Sequence, residues 1–387
     1  MYTRILAGVL QESVRHYPVV SLMGPRQSGK TTLVKALFPE YAYANLERPD
    51  LRRMANDDPK TFLASFPPPA IFDEVQRVPE LLSWIQVEVD SIGKHGLYIL
   101  TGSNQPELGA AITQSLAGRT TLLTLLPLSL EELRQQHTEF DRDTCLVKGC
   151  LPRIYQEHQP HVRAYQDYLA TYVERDMRQL VQVRDLGKFD IFLRLLAGRT
   201  AQILNVQALS TATGVSATTI EHWISVLEAS FIVFRLQPWF ANLGKRLVKR
   251  PKLYFTEPGL AASLLQIETP EQAARDPLLG ALFENMVIVE ILKGQYNRGM
   301  APRLSFFRDS NGNEVDCIIE KDRIPYPVEI KAARTYSPAF NKGIKYFQSL
   351  GITSGTGTIL YGGSENFRSD SIRILGFADA CPEVLEK

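Results

Sequence analysis

The chain has 387 residues, of which 44% are hydrophobic and 22% charged, which is enough apolar material for two or three globular domains. Its 43 basic and 42 acidic side chains give a formal net charge of +1. That balance excludes a globally basic chain of the histone type and an acidic disordered chain. It is compatible with a local basic stripe that acidic residues elsewhere offset.

Neither secretion nor a membrane is predicted. The N-terminus lacks the residue order of a secretory signal, and no apolar run reaches the ~18 residues needed to span a bilayer. Four cysteines are spread along the chain, Cys145, Cys150, Cys317 and Cys381, and no second Cys/His pair completes a zinc site. We therefore expect buried reduced thiols and a cytoplasmic protein without a membrane partner.

The first 135 residues predict an α/β domain. Apolar residues at helical spacing predict a helix over 3–16, and the run 19–22 is typical of a strand buried on both faces. A glycine-rich turn and a helix over 30–37 follow. Alternating elements then continue, with strands at 70–72, 97–101 and within 120–126 and a helix at 79–92. This alternation predicts a parallel sheet.

Residues 136–255 predict a helical lid followed by a winged helix-turn-helix. The segment 163–196 has mostly helical spacing, and 205–235 has the pattern helix, glycine turn, helix and strand. A basic stretch, Lys245–Lys252, comes next. Such a patch can neutralise the phosphates of DNA or RNA. A protein-docking role for the same module is an equal alternative.

Residues 256–387 predict a further α/β domain. A helix is expected over 277–293, and Asn311-Gly312-Asn313 between apolar runs is a strong hairpin signal. Another strand is expected over 326–331. The sequence thus predicts three domains, at 1–135, 136–255 and 256–387.

A phosphate-binding loop is the most specific motif. Residues 24–31 match G-x-x-x-x-G-K-[ST] at every fixed position, between a predicted strand and a predicted helix. The glycines let backbone N–H groups face phosphate oxygens, Lys30 can reach the β- and γ-phosphates, and the Thr31 hydroxyl can ligate Mg²⁺. The candidate ATP-binding residues are Gly24, Pro25, Arg26, Gln27, Ser28, Gly29, Lys30, Thr31 and Thr32.

Acidic and polar residues after two later strands predict the rest of this site. Asp73 ends a buried strand and is a candidate Mg²⁺ ligand, and Glu74 is a candidate base that polarises the attacking water. Ser103 and Asn104 end the next strand, where a sensor role and an ordinary turn are both open. Arg119 is a candidate cation for the transition-state charge, supplied within one chain or by a neighbouring copy.

These segments together resemble a family of prokaryotic AAA-type ATPases that carry a C-terminal domain of unknown function. The resemblance implies ATP binding, hydrolysis and Arg119 as a candidate arginine finger, which would favour a homo-oligomer. Two departures from the pattern are Gly149-Cys150-Leu151-Pro152, where two glycines are usual, and Glu257, where an aspartate is common. The resemblance is carried by 24–33, 72–74, 100–103, 116–119, 127–129, 174–176, 252–255, 280–285, 314–316 and 329–331.

A second acidic constellation lies near the C-terminus. Asp316 and Glu329-Ile330-Lys331 fit the D…(D/E)-x-K spacing of the restriction-endonuclease-like fold. Residues two apart on a strand share a face, so pairing of the two strands would bring Asp316, Glu329 and Lys331 together. With Glu284 from the preceding helix, the carboxylates could hold Mg²⁺ beside the lysine. A hairpin with exposed charges, or an inactive binding module, is the alternative.

Two functional classes follow. The first is an ATP-driven enzyme that acts on DNA or RNA, with a C-terminal domain that cuts or grips the strand. The second is an assembly protein or switch controlled by ATP and ADP, in which the C-terminal domain only binds a partner.

Overall fold

The computed structural model describes residues 2–103, 112, 114–136, 140–173, 186–239, 249–353 and 355–380. The chain forms two compact units. The first unit comprises Met1–Leu128, Ala229–Phe231 and Tyr296–Met300, and the second comprises Ser129–Glu228, Ile232–Gln295 and Ala301–Lys387. The division into three domains stays a prediction.

The first unit is built on a five-stranded parallel sheet, which confirms the predicted α/β class. Its strand order is β2-β3-β4-β1-β5. The strands are β1 Val19–Met23, β2 Ala42–Asn45, β3 Ala70–Asp73, β4 Tyr98–Gly102 and β5 Thr120–Thr124. The helices are α1 Leu6–His16, α2 Lys30–Leu37, α3 Pro49–Asp57, α4 Pro59–Ser65 and α5 Leu81–Ile92. Of these, β2, α3 and α4 are not predicted from the sequence.

The central strands β1, β3 and β4 are buried along their whole length, because each face of the sheet carries a hydrophobic core. Alternate residues of one strand enter different cores, as the two-residue period of a strand requires. Val20 packs with Leu10 of α1 and Leu33 of α2. Val19 belongs to the other core, with Ile85 of α5. Polar groups at the strand ends are therefore held by a rigid frame.

The second unit contains two sheets. A six-stranded mixed sheet has the order β13-β14-β12-β11-β10-β9, in which β11, β12 and β14 run parallel. Its strands are β9 Leu304–Arg308, β10 Glu314–Lys321, β11 Ile324–Lys331, β12 Gly357–Tyr361, β13 Phe367–Ser369 and β14 Ile372–Gly376. The smaller sheet has the order β6-β8-β7, with β6 Gln202–Ile203, β7 Val233–Leu236 and β8 Lys252–Phe255. The predicted hairpin and the predicted strand over 326–331 are confirmed.

Short helices dominate the rest of the second unit. They are Leu130–Leu133, Arg142–Lys148, Pro152–Gln156, His161–Tyr168, Leu186–Ala197, Val206–Thr213, Ala217–Ala229, Pro258–Leu264, Pro270–Arg275 and Lys342–Ser349, with the long helix Leu279–Asn297 continuing into the first unit's segment. Within the described part of the chain, no helix is long and apolar enough to cross a bilayer.

A short turn joins the helices Val206–Thr213 and Ala217–Ala229. This turn contains Gly214, whose φ of 64° lies in the left-handed region. A small antiparallel sheet accompanies these helices. Their identity as a winged helix stays a prediction.

The basic stretch Lys245–Lys252 does not form one continuous surface patch, which corrects the sequence interpretation. Lys252 lies in β8 and its side chain is 3% exposed, because every residue of this strand is buried. Lys249 and Arg250 are exposed, and residues 245–248 lie outside the described part of the chain.

Candidate nucleotide-binding site

The phosphate loop connects β1 to α2 and requires glycine at both ends. Gly24 has φ 153°, and a Cβ atom there would lie 2.1 Å from the carbonyl oxygen of Leu125. Gly29 precedes α2 with φ 91° and ψ 17°, in the left-handed region that glycine adopts without strain. The loop therefore curls tightly over the start of α2, with the helix N-terminus at its centre.

Lys30 is buried inside this loop. Its Nζ donates hydrogen bonds to the carbonyl oxygens of Gly24 at 2.9 Å and Pro25 at 2.8 Å. Burial lowers the pKa of Lys30 to about 8, while the carboxylates of Glu74 and Asp73 oppose the shift. A phosphate dianion would supply the counter-charge that the two neutral carbonyls do not.

The loop is shaped for an anion in two further respects. The hydroxyl oxygen of Ser28 is buried and has no hydrogen-bond partner among the described residues. Arg4 stabilises the loop backbone. Its guanidinium donates hydrogen bonds to the carbonyl oxygens of Ser28 and Leu126, both at 2.7 Å. An unsatisfied buried hydroxyl in a braced loop fits a bound phosphate. Arg4 was not predicted to belong to the site.

Asp73 ends β3 and faces the first turn of α2. Its Oδ2 accepts hydrogen bonds from Thr31 Oγ1 and from the hydroxyl of Tyr43, both at 2.8 Å. Thr101 of β4 donates to its Oδ1. The structure thus brings together the two predicted Mg²⁺ ligands, Thr31 and Asp73, whose hydroxyl and carboxylate oxygens suit this ion. Tyr43 and Thr101 are additional residues of the site.

Glu74 follows Asp73 in a left-handed conformation, at φ 59° and ψ 42°. The amide of Gln76 donates to Oε2 of Glu74 and, at 2.9 Å, to the hydroxyl of Ser103. Burial raises the pKa of Glu74, although the positive charge of Lys30 opposes the rise. Gln76 therefore links the predicted base to the predicted sensor. Asn104 lies outside the described residues.

Arg119 is paired rather than aimed into the loop. Its Nε and Nη2 lie 2.6 and 2.8 Å from the two carboxylate oxygens of Asp90 on α5. The Arg119 side chain is 32% exposed. Arg26 of the loop lies 3.5 Å from a carboxylate oxygen of Glu47.

The C-terminal constellation converges as the strand parity predicts. Lys331 Nζ lies 3.0 Å from Oδ2 of Asp316 and 2.5 Å from Oε2 of Glu329. The backbone N–H of Ile330 also donates to Asp316 Oδ2, at 2.8 Å. Gly343 closes over this group, because a Cβ there would lie 1.8 Å from Oε1 of Glu329.

Glu284 is satisfied by a second lysine. Lys252 Nζ lies 2.8 Å from Glu284 and 2.6 Å from Glu314. The hydroxyl of Tyr254 donates to the same Glu284 oxygen at 2.7 Å.

The pKa directions at these carboxylates follow from burial and from the neighbouring charges. Burial and the Asp316 carboxylate raise the pKa of Glu329 to about 9. Burial raises the pKa of Glu284 to about 7, with Lys252 opposing. Although burial opposes it, the pKa of Asp316 is held below its usual value by Lys331 and Lys252.

Ammonium groups contact the carboxylates of this second constellation. Lys331 contacts Asp316 and Glu329, Lys252 contacts Glu284 and Glu314, and burial favours the neutral form of Glu329. Among the described residues, no group of three or more His, Cys, Asp or Glu side chains could hold a metal ion. The metal role of Glu284, Asp316 and Glu329 stays a prediction.

Comparisons with known proteins agree with the phosphate loop. Residues 16–134 match a family described as an AAA domain, and residues 139–271 and 279–379 match two domains of unknown function, DUF8612 and DUF4143. The chain is 30% identical over 348 residues to Uncharacterized protein Rv2008c of Mycobacterium tuberculosis and to Uncharacterized protein Mb2031c of Mycobacterium bovis. Each alignment covers 88% of this chain and 76% of the relative.

Similarities to solved structures are weak. A Walker-type ATPase of Pyrococcus abyssi is 16% identical with a TM-score of 0.43, covering 67% of this chain and 94% of that one. AMPPCP-bound DnaA from Aquifex aeolicus is 12% identical with a TM-score of 0.29, covering 58% of this chain and 86% of that one. No functional conclusion follows from similarities at this level.

Proposed function

Because the chain belongs to the family of the mycobacterial proteins Rv2008c and Mb2031c and carries the AAA domain of a P-loop ATPase, we propose that it binds ATP with Mg²⁺ and hydrolyses it. The observation that carries the proposal is the hydrogen bond of Thr31 to Asp73 beside a loop that buries Lys30. A hydroxyl, a carboxylate and an ammonium group are thereby gathered at one helix N-terminus. This is the set of groups that ATP hydrolysis needs.

In the binding step, Lys30 exchanges the carbonyl oxygens of Gly24 and Pro25 for phosphate oxygens. The exchange is favourable because a buried ammonium gains a full negative charge in place of two dipoles. Thr31 and Asp73 would hold Mg²⁺, directly or through water, and the ion would neutralise charge on the β- and γ-phosphates. The N–H groups at the start of α2 and the hydroxyl of Ser28 contribute further donors.

In the hydrolysis step, Glu74 orients a water molecule for attack on the γ-phosphorus. A new P–O bond forms to the water oxygen, the bond to the β,γ-bridging oxygen breaks, and ADP and phosphate leave. Burial raises the pKa of Glu74, which makes its carboxylate a better proton acceptor. Gln76 and Ser103 keep the carboxylate in position.

Arg119 enters the proposal as a cation supplied to a second copy of the chain. Its pairing with Asp90 at the surface of α5 keeps it available for exchange, since exposed ion pairs contribute little stability. Arg119→Ala and Lys30→Ala proteins should each hydrolyse ATP poorly, and their mixture should recover part of the activity. A mixture no better than the sum of its parts would remove the intermolecular role.

The partner of the second unit is the finer part of the proposal. Hydrolysis coupled to DNA or RNA is one candidate, and a switch controlled by ATP and ADP is the other. ATP turnover measured with and without duplex DNA and RNA separates the candidates, since a switch should show slow, unstimulated turnover with retained ADP.

Two variants test the ATPase itself. Lys30→Ala should abolish binding of a fluorescent ATP analogue, and Glu74→Gln should bind it while losing about 10²–10⁴-fold in kcat. Lys94→Ala and Glu80→Gln make the same chemical changes at exposed positions of the first unit and should behave as wild type. Wild-type turnover by Lys30→Ala would refute the proposal.

A further inference from the structure

Three cationic side chains line one small cavity in the second unit. Lys321 ends β10, Arg368 lies in β13 and Arg373 lies in β14. The cavity has a volume of about 240 Å³ and is also lined by Tyr326 and Ser371. It lies outside the carboxylate constellation and outside the phosphate loop.

The fold places two of these cations directly opposite each other. Arg368 and Arg373 are register partners in the antiparallel pair of β13 and β14. Like charges in directly opposed positions destabilise a sheet. A bound anion between the two guanidinium groups would turn this repulsion into attraction.

Tyr326 contacts both Arg373 and the third cation, Lys321. Arg373 donates to the Tyr326 hydroxyl from Nε at 3.3 Å and from Nη2 at 3.2 Å. Lys321 Nζ and Arg373 Cζ lie 6.0 and 5.9 Å from the centre of the Tyr326 ring. The Lys321 and Arg373 side chains are close enough to repel each other. Burial and the positive charge of Arg373 both lower the pKa of Lys321.

The described lining residues carry more positive than negative formal charge. They include one carboxylate, Asp370, and three cations. Lys345 Nζ lies 3.7 Å from Asp370, so this carboxylate also faces a cation outside the cavity. The lining is therefore positive by formal charge.

We infer that this cavity binds a phosphate group, either of a nucleic-acid backbone or of a small phosphate compound. Two guanidinium forks and an ammonium match the several oxygens and the charge of a phosphate better than they match a single carboxylate. The cavity is smaller than the roughly 300 Å³ at which pockets for drug-sized ligands begin. It suits one phosphate group and not a whole nucleotide. The inference goes beyond the proposed ATPase, whose site lies in the first unit.

Binding is measured on the full chain with Lys30→Ala as the common background, because this change should abolish phosphate binding at the phosphate loop without adding a competing phosphate compound. A short fluorescein-labelled DNA duplex is titrated by anisotropy at two salt concentrations, and inorganic phosphate is titrated by calorimetry. Arg368→Gln and Arg373→Gln should each weaken binding at least about tenfold, and for DNA the salt slope should fall by about 1. Arg275→Gln removes the same charge from an exposed helix of the second unit and should bind as the background does.

The two arms identify the source of the phosphate. Sensitivity of DNA binding to both variants assigns a nucleic-acid backbone, and sensitivity of inorganic phosphate binding alone assigns a small compound. The inference is overturned if the background binds neither probe, or if Arg368→Gln binds as the background does. Arg368 is exposed, so this variant keeps the test valid even if Arg373→Gln fails to fold. ATP turnover of Arg368→Gln with Lys30 intact should be unchanged, which separates this result from the fate of the proposed ATPase.

Discussion

The Thr31 hydroxyl donates a 2.8 Å hydrogen bond to Oδ2 of Asp73, which joins the first turn of α2 to the carboxyl end of β3. Thr31→Val removes this hydroxyl while keeping the side-chain shape. We expect the Mg²⁺ concentration for half-maximal hydrolysis to rise at least about 10–100-fold, because Thr31 would ligate the ion and even the loss of a group that only supports a ligand has an effect of this size. Steady-state kinetics over a Mg²⁺ series measures this. Thr61→Val, at an exposed position of α4, is the control, and an unchanged Mg²⁺ requirement in Thr31→Val would contradict the assignment.

ATP affinity should fall as the pH rises through about 8, because Lys30 loses its proton there in the free protein. Bound phosphate favours the charged lysine, so binding at pH 9 should take up a proton, and Kd should rise up to about tenfold per pH unit. Calorimetry in buffers of different ionisation enthalpy measures the uptake. A pH-independent Kd between 7 and 9 would exclude a titrating Lys30.

The same lowered pKa of Lys30 makes the folded chain more stable as the pH rises, whereas it makes ATP binding weaker. The unfolded chain holds the Lys30 proton more tightly than the folded chain does. Burial of the charged lysine therefore costs stability in full below pH 8, and this cost is relieved between pH 8 and the ordinary lysine value of 10.5. In Lys30→Met the increase in the free energy of unfolding over this pH range should be absent, as urea titrations at several pH values would report.

Lys252→Met should destabilise the second unit by about 3–5 kcal/mol, because it leaves Glu284 buried without its cation. Adding Glu284→Gln should recover most of this loss, since Glu314 keeps Arg308 as a partner at 3.0 Å. Urea unfolding of the single and double variants measures the coupling. Lys249→Met removes the same charge at an exposed position and should change the free energy of unfolding little. Equal losses of this free energy in Lys252→Met and Lys249→Met would refute a specific role for the buried ion pair.

Gly149→Ala should strongly destabilise the second unit. Gly149 has φ 60° and ψ −151°, and a Cβ there would lie 2.0 Å from both Oε1 of Glu257 and the hydroxyl of Tyr165. We expect a loss of at least about 3 kcal/mol from strain and overpacking together. Gly214→Ala, also at positive φ but with open space around it, should lose about 1–2 kcal/mol. Similar melting temperatures for the two variants would contradict this.

Glu257 and Cys150, which lie in the two departures from the family pattern, contact each other. Oε1 of Glu257 accepts a hydrogen bond from the backbone N–H of Cys150 at 2.7 Å. The same oxygen accepts a bond from Tyr165 at 2.7 Å. This buried group supports the turn that contains Gly149.

The phosphate loop was predictable from the sequence because its requirements are local. Glycines at fixed positions, a lysine at the helix start and an apolar strand before them fall within 13 residues, Val19–Thr31. Asp73 was predictable because it ends a buried strand of the same parallel sheet. The convergence of Asp316 with Glu329 followed from the two-residue period of paired strands.

Other parts of the site arise only from tertiary contacts. Tyr43 reaches Asp73 from β2, whose sequence Ala-Tyr-Ala-Asn has no apolar run that would identify a strand. Arg4 donates a hydrogen bond to Ser28, which is 24 residues away in the sequence. Gln76 donates one to Ser103, which is 27 residues away. Lys252 was misassigned because a run of charges along the sequence does not show which side chains a strand buries. Its partners come from a helix and a hairpin that follow later in the chain.

The first unit is assembled from three separate pieces of the chain, and this has a consequence during synthesis. Gly299 packs so closely against Val9 that a Cβ would lie 2.7 Å from its side chain. Residue 300 leaves the ribosome about 170 residues after Leu128, which is roughly 10–30 s later at ordinary elongation rates. The nascent phosphate loop therefore waits, with part of its unit's apolar surface uncovered, until most of the second unit has been made. A chain cut after residue 135 would stay in that state permanently.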